Sequence, residues 1–148
     1  MRKLQGNSIT VDKRCGEDLE IEGYPGELRQ LFSNLLLNAI DAMKEGGRLR
    51  LRVVRTHEWS AGRRPGVRVT IADTGNGIGT ADLPHIFEPF YTTKKDQGTG
   101  LGLWLAYGIV QKHSGWMRVM SSTGPASSGT VFAVFLPESP AVANTQAA

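Results

Sequence analysis

The sequence predicts an α+β fold: a two-layer α/β sandwich in which a mixed, mostly antiparallel sheet carries its helices on one face. Three observations lead there. Residues 25–47 hold one long amphipathic pattern, with Leu28, Leu31, Phe32, Leu35, Ala39, Ile40 and Met43 recurring at helical spacing. Two strand patterns, "RLRLRVVRT" and "VRVTIAD", follow one another across a polar loop as the arms of a hairpin would. Two more, "WMRVMSS" and "GTVFAVFLP", follow a second helix. Elements mixed in this order, with antiparallel neighbours dominant, bury their apolar faces as a sheet covered by helices.

Taken in order, the chain opens on two short strand candidates, "SITVDKR" and "DLEIEG". The first helix begins at Pro25, whose missing N–H is harmless in a first turn, and is closed by Gly46 and Gly47. In the next strand Arg48, Arg50 and Arg52 alternate with Leu49, Leu51 and Val53, so the arginines form a solvated face. No aromatic residues interleave with them, which speaks against a nucleic-acid stripe. Val67, Val69 and Ile71 point inward from the second arm. Residues 74–100 are rich in glycine and without sustained periodicity, far longer than the usual connection of about 4–6 residues, and such loops carry function. The helix "LGLWLAYGIVQKHS" follows and stops near Gly115; "TGPAS" turns the chain between the last two strands. Residues 1–138 form the expected domain and residues 139–148, "SPAVANTQAA", an expected disordered tail.

Composition sets the outer bounds. A chain of 148 residues with 40% hydrophobic and 21% charged residues is one globular domain's worth. The longest nearly apolar stretch, "LGLWLAYGIV", falls well short of the roughly 18 residues that a bilayer span needs. The start "MRKLQGNSIT" has no apolar stretch of signal-peptide type, and the single Cys15 has no partner for an internal disulfide. A cytoplasmic location is the expectation, and the mild net charge of +3 calls for neither nucleic acid nor membrane as partner.

Within "NLLLNAIDAM" two asparagines stand four apart, although asparagine is a mediocre helix former. Asn34, Asn38 and Asp41 share a stripe beside the apolar one, at its border. They are either exposed polar residues or the oxygen donors of a metal or phosphate site. Further on, "DTGNGIG" sets Asp73 at the end of a strand and bares the backbone after it at Gly75, Gly77 and Gly79. A buried carboxylate there can accept from an exocyclic amine while glycine admits a flat ligand, although a plain tight turn has the same look. "GTGLGL", residues 98–103, puts Gly98, Gly100 and Gly102 directly before a helix, where backbone N–H groups can hold phosphate. It is neither the GxGxxG dinucleotide fingerprint nor a GxxxxGK[ST] loop. Between the two lies "IFEPFYTTKKDQ", a lid candidate anchored by Phe87 and Phe90, with Lys94 and Lys95 reaching toward added negative charge.

In their order and spacing these motifs resemble the catalytic and ATP-binding domain of sensor histidine kinases, in the superfamily shared with gyrase, the heat-shock chaperone ATPases and MutL. "NLLLNAIDA" is similar to its N box, "DTGNGIG" to its G1 box, "IFEPFYTTK" to its F box, "GTGLGL" to its G2 box, and Gly129-Thr130 to its last glycine motif. The resemblance covers about nine tenths of the chain. It implies the Bergerat ATP-binding fold, ATP and Mg²⁺ as cofactors, and a role for each matching residue. Asn38 would ligate Mg²⁺, an amide oxygen being a suitable hard ligand, with Asn34 beside it. Asp73 would accept from the adenine amine, with Gly75, Gly77 and Gly79 making room and Thr130 helping through water. Ala42, Ile78 and Leu103 would line the adenine pocket. Gly98, Thr99, Gly100, Leu101 and Gly102 would hold the phosphates, and Lys94 would approach the γ-phosphate, so that Asn38 and Lys94 are the expected catalytic pair.

In the hydrolytic and serine-kinase branches of that superfamily the position four before the metal-binding asparagine is a glutamate acting as general base. Here it is Asn34, and an amide takes no proton from water or serine at neutral pH. A neutral imidazole is already nucleophilic, so a histidine acceptor needs no such base. His57, His85 and His113 all lack the acceptor's sequence context and read as structural. The resemblance therefore implies phosphoryl transfer to a histidine on a separate helical dimerisation domain, and from there to a response regulator. A non-catalytic nucleotide-binding module, or an ATPase of the same superfamily, is the alternative.

Overall fold

The computed structural model describes residues 2–4, 8–58, 62–92 and 100–139. A short strand β1 (Arg2–Leu4) runs antiparallel to β2 (Ile9–Cys15). Helix α1 (Pro25–Ala42) then passes over the sheet, because β2 and β3 (Gly47–His57) are parallel and parallel neighbours need a crossover. β3 and β4 (Pro65–Asp73) form the expected antiparallel pair. After a single 3-10 turn at Leu83–His85 come α2 (Gly102–Lys112), β5 (Trp116–Ser122) and β6 (Gly129–Pro137). The sheet order is β1-β2-β3-β4-β6-β5, mixed and mostly antiparallel, and both helices pack on one face of it. This is the two-layer α+β architecture that the sequence predicts.

The core lies between the layers. Leu31, Leu35, Ala39 and Met43 face the sheet from the α1 end, Ala106 and Val110 from α2, and Ile9, Leu49, Ile71, Phe132, Val134 and Leu136 answer from the strands. Leu28, Phe32 and Ile40 pack half-buried at the margin of the same stripe, as its helical spacing predicts.

Four expectations need correction. The segment "DLEIEG" is not a strand: Ile21 packs on the core and the Glu22 N–H reaches the Glu138 carbonyl at 2.8 Å, but one bond is no ladder. Its apolar alternation serves side-chain anchoring alone. The first helix stops at Ala42, before Gly46 and Gly47. Met43 leaves helical geometry, and Gly46, at φ +97°, turns the chain so that the Gly47 N–H meets the Ser8 carbonyl at 3.2 Å. Those glycines thus launch β3 instead of ending α1. The second helix runs from Gly102 to Lys112, with His113 as its cap. Finally Phe87 packs on the core and against Tyr107, whereas Phe90 is 73% exposed and anchors nothing there. Its backbone sits at φ +65° and its N–H bonds the Gly100 carbonyl at 2.9 Å, which turns the ring outward.

The three histidines sit where the sequence places them: His57 at the exposed end of β3, His85 in the 3-10 turn, and His113 at the end of α2. His113 is buried, accepts the Tyr24 N–H on Nε2 at 3.1 Å, and donates from Nδ1 to the Ile109 carbonyl at 2.8 Å. That pairing fixes a neutral tautomer and locks the entry of α1 to the exit of α2.

Candidate functional site

Asp73 is the last residue of β4 and one of few polar side chains in the buried layer, only 6% exposed. Burial raises its carboxyl pKa above the ordinary value, opposed by hydrogen bonds from the backbone N–H groups of Gly75 and Thr130. The Gly75 N–H reaches Asp73 Oδ1 at 2.9 Å. A carboxylate with spare acceptor capacity at the edge of a core is a ready partner for an N–H donor.

At two positions after Asp73, Gly75 and Gly77, the chain lies so close to its neighbours that only glycine fits, whereas Gly79 has room for a side chain. A Cβ on Gly75 would stand 2.5 Å from the Ala42 carbonyl oxygen, and the Asn76 N–H bonds that same oxygen at 3.1 Å. The loop is thereby pinned to the end of α1. Gly77, at φ +76°, would drive a Cβ to 2.0 Å from the Ser122 carbonyl. Gly79 opens the next turn, its carbonyl accepting from Asp82 and Leu83.

Ser121 on β5 ties these pieces together, and no motif in the sequence pointed to it. Its Oγ accepts the Ile78 N–H at 2.7 Å, lies 2.8 Å from Thr130 Oγ1, and donates to the Gly129 carbonyl at 2.9 Å. With its one proton given to Gly129, the Thr130 hydroxyl must donate to it. Thr130 Oγ1 is left as an acceptor only. Thr130 is itself buried and sits directly opposite Asp73 in the β4–β6 register, so two oxygen acceptors stand side by side on one floor.

On the facing helix Asn34, Asn38 and Ala42 are half-buried along the border of α1. Asn34 Nδ2 donates to the Gly102 carbonyl at 3.1 Å, joining α1 to the first residue of α2. The Asn38 amide has no hydrogen-bond partner among the described residues. The N-terminus of α2, at Leu101 and Gly102, carries no side-chain cap among the described residues, so its first-turn N–H groups can serve an anion. Gly100 holds φ +69°, and Ile78 and Leu103 add apolar surface packed on the core. Lys94, Gly98 and Thr99 lie outside the described residues, as do residues 93–97 of the expected lid and residues 140–148 of the expected tail. No cluster of three or more metal-ligating His, Cys, Asp or Glu occurs among the described residues.

The structure therefore brings together acceptors on the sheet floor, an open amide on α1, a glycine loop between them, and an uncapped helix start at the side. Residues 23–140 match the family model described as histidine kinase-, DNA gyrase B-, and HSP90-like ATPase. The chain is 37% identical over 147 residues to the sensor kinase CckA of Brucella abortus, covering 93% of this chain and 15% of that protein. It spans between 14% and 28% of the length of the curated relatives it matches. Among solved structures, the nucleotide-free catalytic domain of the histidine kinase ThkA superposes with a TM-score of 0.72 at 30% identity, covering 89% of this chain and 80% of that one. Full-length ShkA, solved in complex with AMPPNP, superposes with a TM-score of 0.70 at 29% identity over 91% of this chain and 27% of its own.

Proposed function

Because the chain belongs to the histidine kinase-, DNA gyrase B-, and HSP90-like ATPase family, we propose that it presents the γ-phosphate of ATP to a histidine on a separate helical domain, as the catalytic part of a sensor histidine kinase. The observation that carries this reading is the pair of acceptors, Asp73 and Thr130, at the base of a glycine loop. The 6-amino group of adenine is a double donor, and a floor with acceptors alone fits it. Asp73 accepts directly and Thr130 through a water, while Gly75, Gly77 and Gly79 admit the ring and Ala42, Ile78 and Leu103 cover its faces. That ShkA, a structural neighbour of this chain, was solved in complex with AMPPNP supports nucleotide binding.

The phosphates then run toward α2, where Gly98, Thr99, Gly100, Leu101 and Gly102 offer backbone N–H groups and Lys94 neutralises the γ-phosphate. The donor chemistry also fits Mg²⁺: the Asn38 amide oxygen has no hydrogen-bond partner among the described residues, and Asn34, one turn earlier on the same border of α1, holds α2 through its Nδ2. Bound there, the ion supplies charge neutralisation between phosphate oxygens. Asn34 accepts no proton from water, so transfer waits for a nucleophile that needs no base.

The exposed face of α2 suits a docked helical domain. Trp104, Leu105 and Tyr107 are part-exposed there and, with Glu27 and Lys112, line a groove of about 380 Å³. On this reading a response regulator receives the phosphate from that domain, and catalysis takes place in the cytosol. No described helix is long and apolar enough to cross a membrane. Residues 1–138 act as one domain.

The test is transfer. The chain is mixed with γ-labelled ATP, Mg²⁺ and the dimeric helical domain of its parent protein, and acid-labile label is expected on that domain alone. Stable self-labelling, or steady ATP hydrolysis that Asn34→Ala abolishes, would overturn the proposal.

A further inference from the structure

The face of the sheet turned away from the helices has an unusual composition. β6 contributes Val131, Ala133, Phe135 and Pro137 to it and no polar side chain, although Phe132, Val134 and Leu136 already serve the core on the other side. A strand apolar on both faces is the pattern of one covered on both. The helices cover one face; on the other, Phe135 and Pro137 are already buried, with Trp116 and Arg64 against the Phe135 ring, and Val131 and Ala133 remain half-exposed.

The register lays this outer face out in transverse rows. One reads Arg14, Arg52, Thr70, Ala133, Arg118 across β2-β3-β4-β6-β5, and the next reads Asp12, Arg50, Ala72, Val131, Met120. A third, Val54, Arg68, Phe135, Trp116, closes one end. There Trp116 stacks on Phe135 at 5.7 Å and Arg118 lies over Trp116 at 4.6 Å. In the first two rows the middle two strands thus present Thr70, Ala72, Val131 and Ala133, a floor of small side chains. β3 raises Arg50 and Arg52 on one side of it, and β5 raises Arg118 and Met120, the latter 70% exposed, on the other. The two walls are three strand spacings apart, about 14 Å. A helix with its side chains measures about 10–12 Å across and fits between them.

Charge selects among occupants. Five arginines stand in these rows against the single carboxylate of Asp12, which pairs with Arg52 at 3.0 Å. That hydrogen bond holds the Asp12 carboxyl below its ordinary pKa, and the charges of Arg52, Arg14 and Arg50 reinforce it. Arg14, Arg50 and Arg68 make no ion pair among the described residues. A nucleic acid would use the arginines but leave the apolar floor idle. An acidic amphipathic helix uses both.

We propose that the outer sheet face is a docking trough for an acidic amphipathic helix of a partner protein, its apolar stripe on Val131 and Ala133 and its flanking carboxylates on Arg50 and Arg118. This surface is separate from the nucleotide cleft and from the exposed face of α2.

The probe is a fluorescent helical peptide of about 20 residues with a leucine stripe flanked by glutamates, titrated into the 148-residue chain. Saturable binding is expected, with amide shifts centred on Arg50, Thr70, Ala72, Val131, Ala133 and Arg118. Charge reversal by Arg50→Glu with Arg118→Glu should weaken it at least about tenfold, while ATP affinity, which reports an intact fold, stays the same. Arg118→Glu alone should give an intermediate loss. No binding, equal binding of polyglutamate without the leucines, tighter binding of duplex DNA at the same residues, or indifference to both reversals would each overturn the proposal.

Discussion

Ser121 Oγ accepts the Ile78 N–H at 2.7 Å, so an edge strand near the end of the chain sets the height of the loop that follows β4. Ser121→Ala leaves the Ile78 N–H and the Gly129 carbonyl without this partner and frees the Thr130 proton to point into the cleft. The expected cost is about 1–3 kcal/mol of folding stability, read as a lowered urea midpoint. ATP affinity should fall with it, because Thr130 would then offer a donor where the adenine amine needs an acceptor. An unchanged ATP affinity would show that the hydroxyl serves the fold alone.

Asp73→Asn should weaken ATP binding by about 1.5–3 kcal/mol, one to two decades in affinity. The substitution keeps the shape but presents an N–H₂ on one side of the floor. Calorimetry with ATP reports this directly, and an affinity equal to wild type would remove Asp73 from the adenine site.

The same carboxyl predicts two opposite pH slopes. Its folded pKa is raised by burial, so the native protein holds that proton more tightly than the unfolded chain does. Its contribution to stability is therefore complete below the ordinary carboxyl value and is lost as pH rises through the raised one. ATP prefers the ionised acceptor, so affinity should climb across that same window. In Asp73→Asn both slopes attributable to this group should vanish. Urea midpoints and ATP titrations of both proteins over the mildly acidic range provide the comparison.

Asn38→Ala removes an amide that bonds nothing else among the described residues, so it should spare the fold. The expected change is in the metal response: Mg²⁺ should tighten ATP binding to wild type and matter little to the variant. Identical Mg²⁺ titrations of the two would reassign Asn38 to a surface role.

Gly77→Ala forces a side chain onto φ +76° and into the Ser122 carbonyl. The loop must move, at a cost of about 1–3 kcal/mol. ATP binding should fall by more than stability does, since the shift opens away from the floor. A crystal structure of the variant with the loop in place would contradict this.

Helical periodicity made α1 legible because its stripe runs unbroken from Leu28 to Met43, and period-2 alternation did the same for β3 and β4. Where one signal serves two purposes the reading failed. Leu19 and Ile21 alternate like a strand, yet their segment packs Ile21 on the core and meets the last strand's end through a single bond to Glu138. β1 is three residues long, too short to show any period. Phe90 looked like a core anchor, but its direction is set by a left-handed backbone that composition does not reveal. In the site, Asp73 and the glycines stand out because few residue types tolerate their places. Ser121 does not: a serine near the end of a strand resembles any solvated one, and its partners at 78, 129 and 130 are joined to it only by the fold. Asn34 is the reverse case, conspicuous in sequence but engaged with Gly102 in a way spacing alone could not tell.

The insertion of β6 between β4 and β5 has a consequence for biosynthesis. Asp73 leaves the ribosome before the strand that walls it in, which is the last regular element of the described chain, and every β4–β6 pair closes across α2 and β5. Long-range pairings of this kind form late, after loop-closure entropy has been overcome. A nascent or truncated chain ending before Gly129 can own a helix α1 and a β3–β4 hairpin and still have no acceptor floor. Nucleotide binding thus reports that β6 is in place, and ATP favours chains that contain this strand over chains that stop before it by mass action.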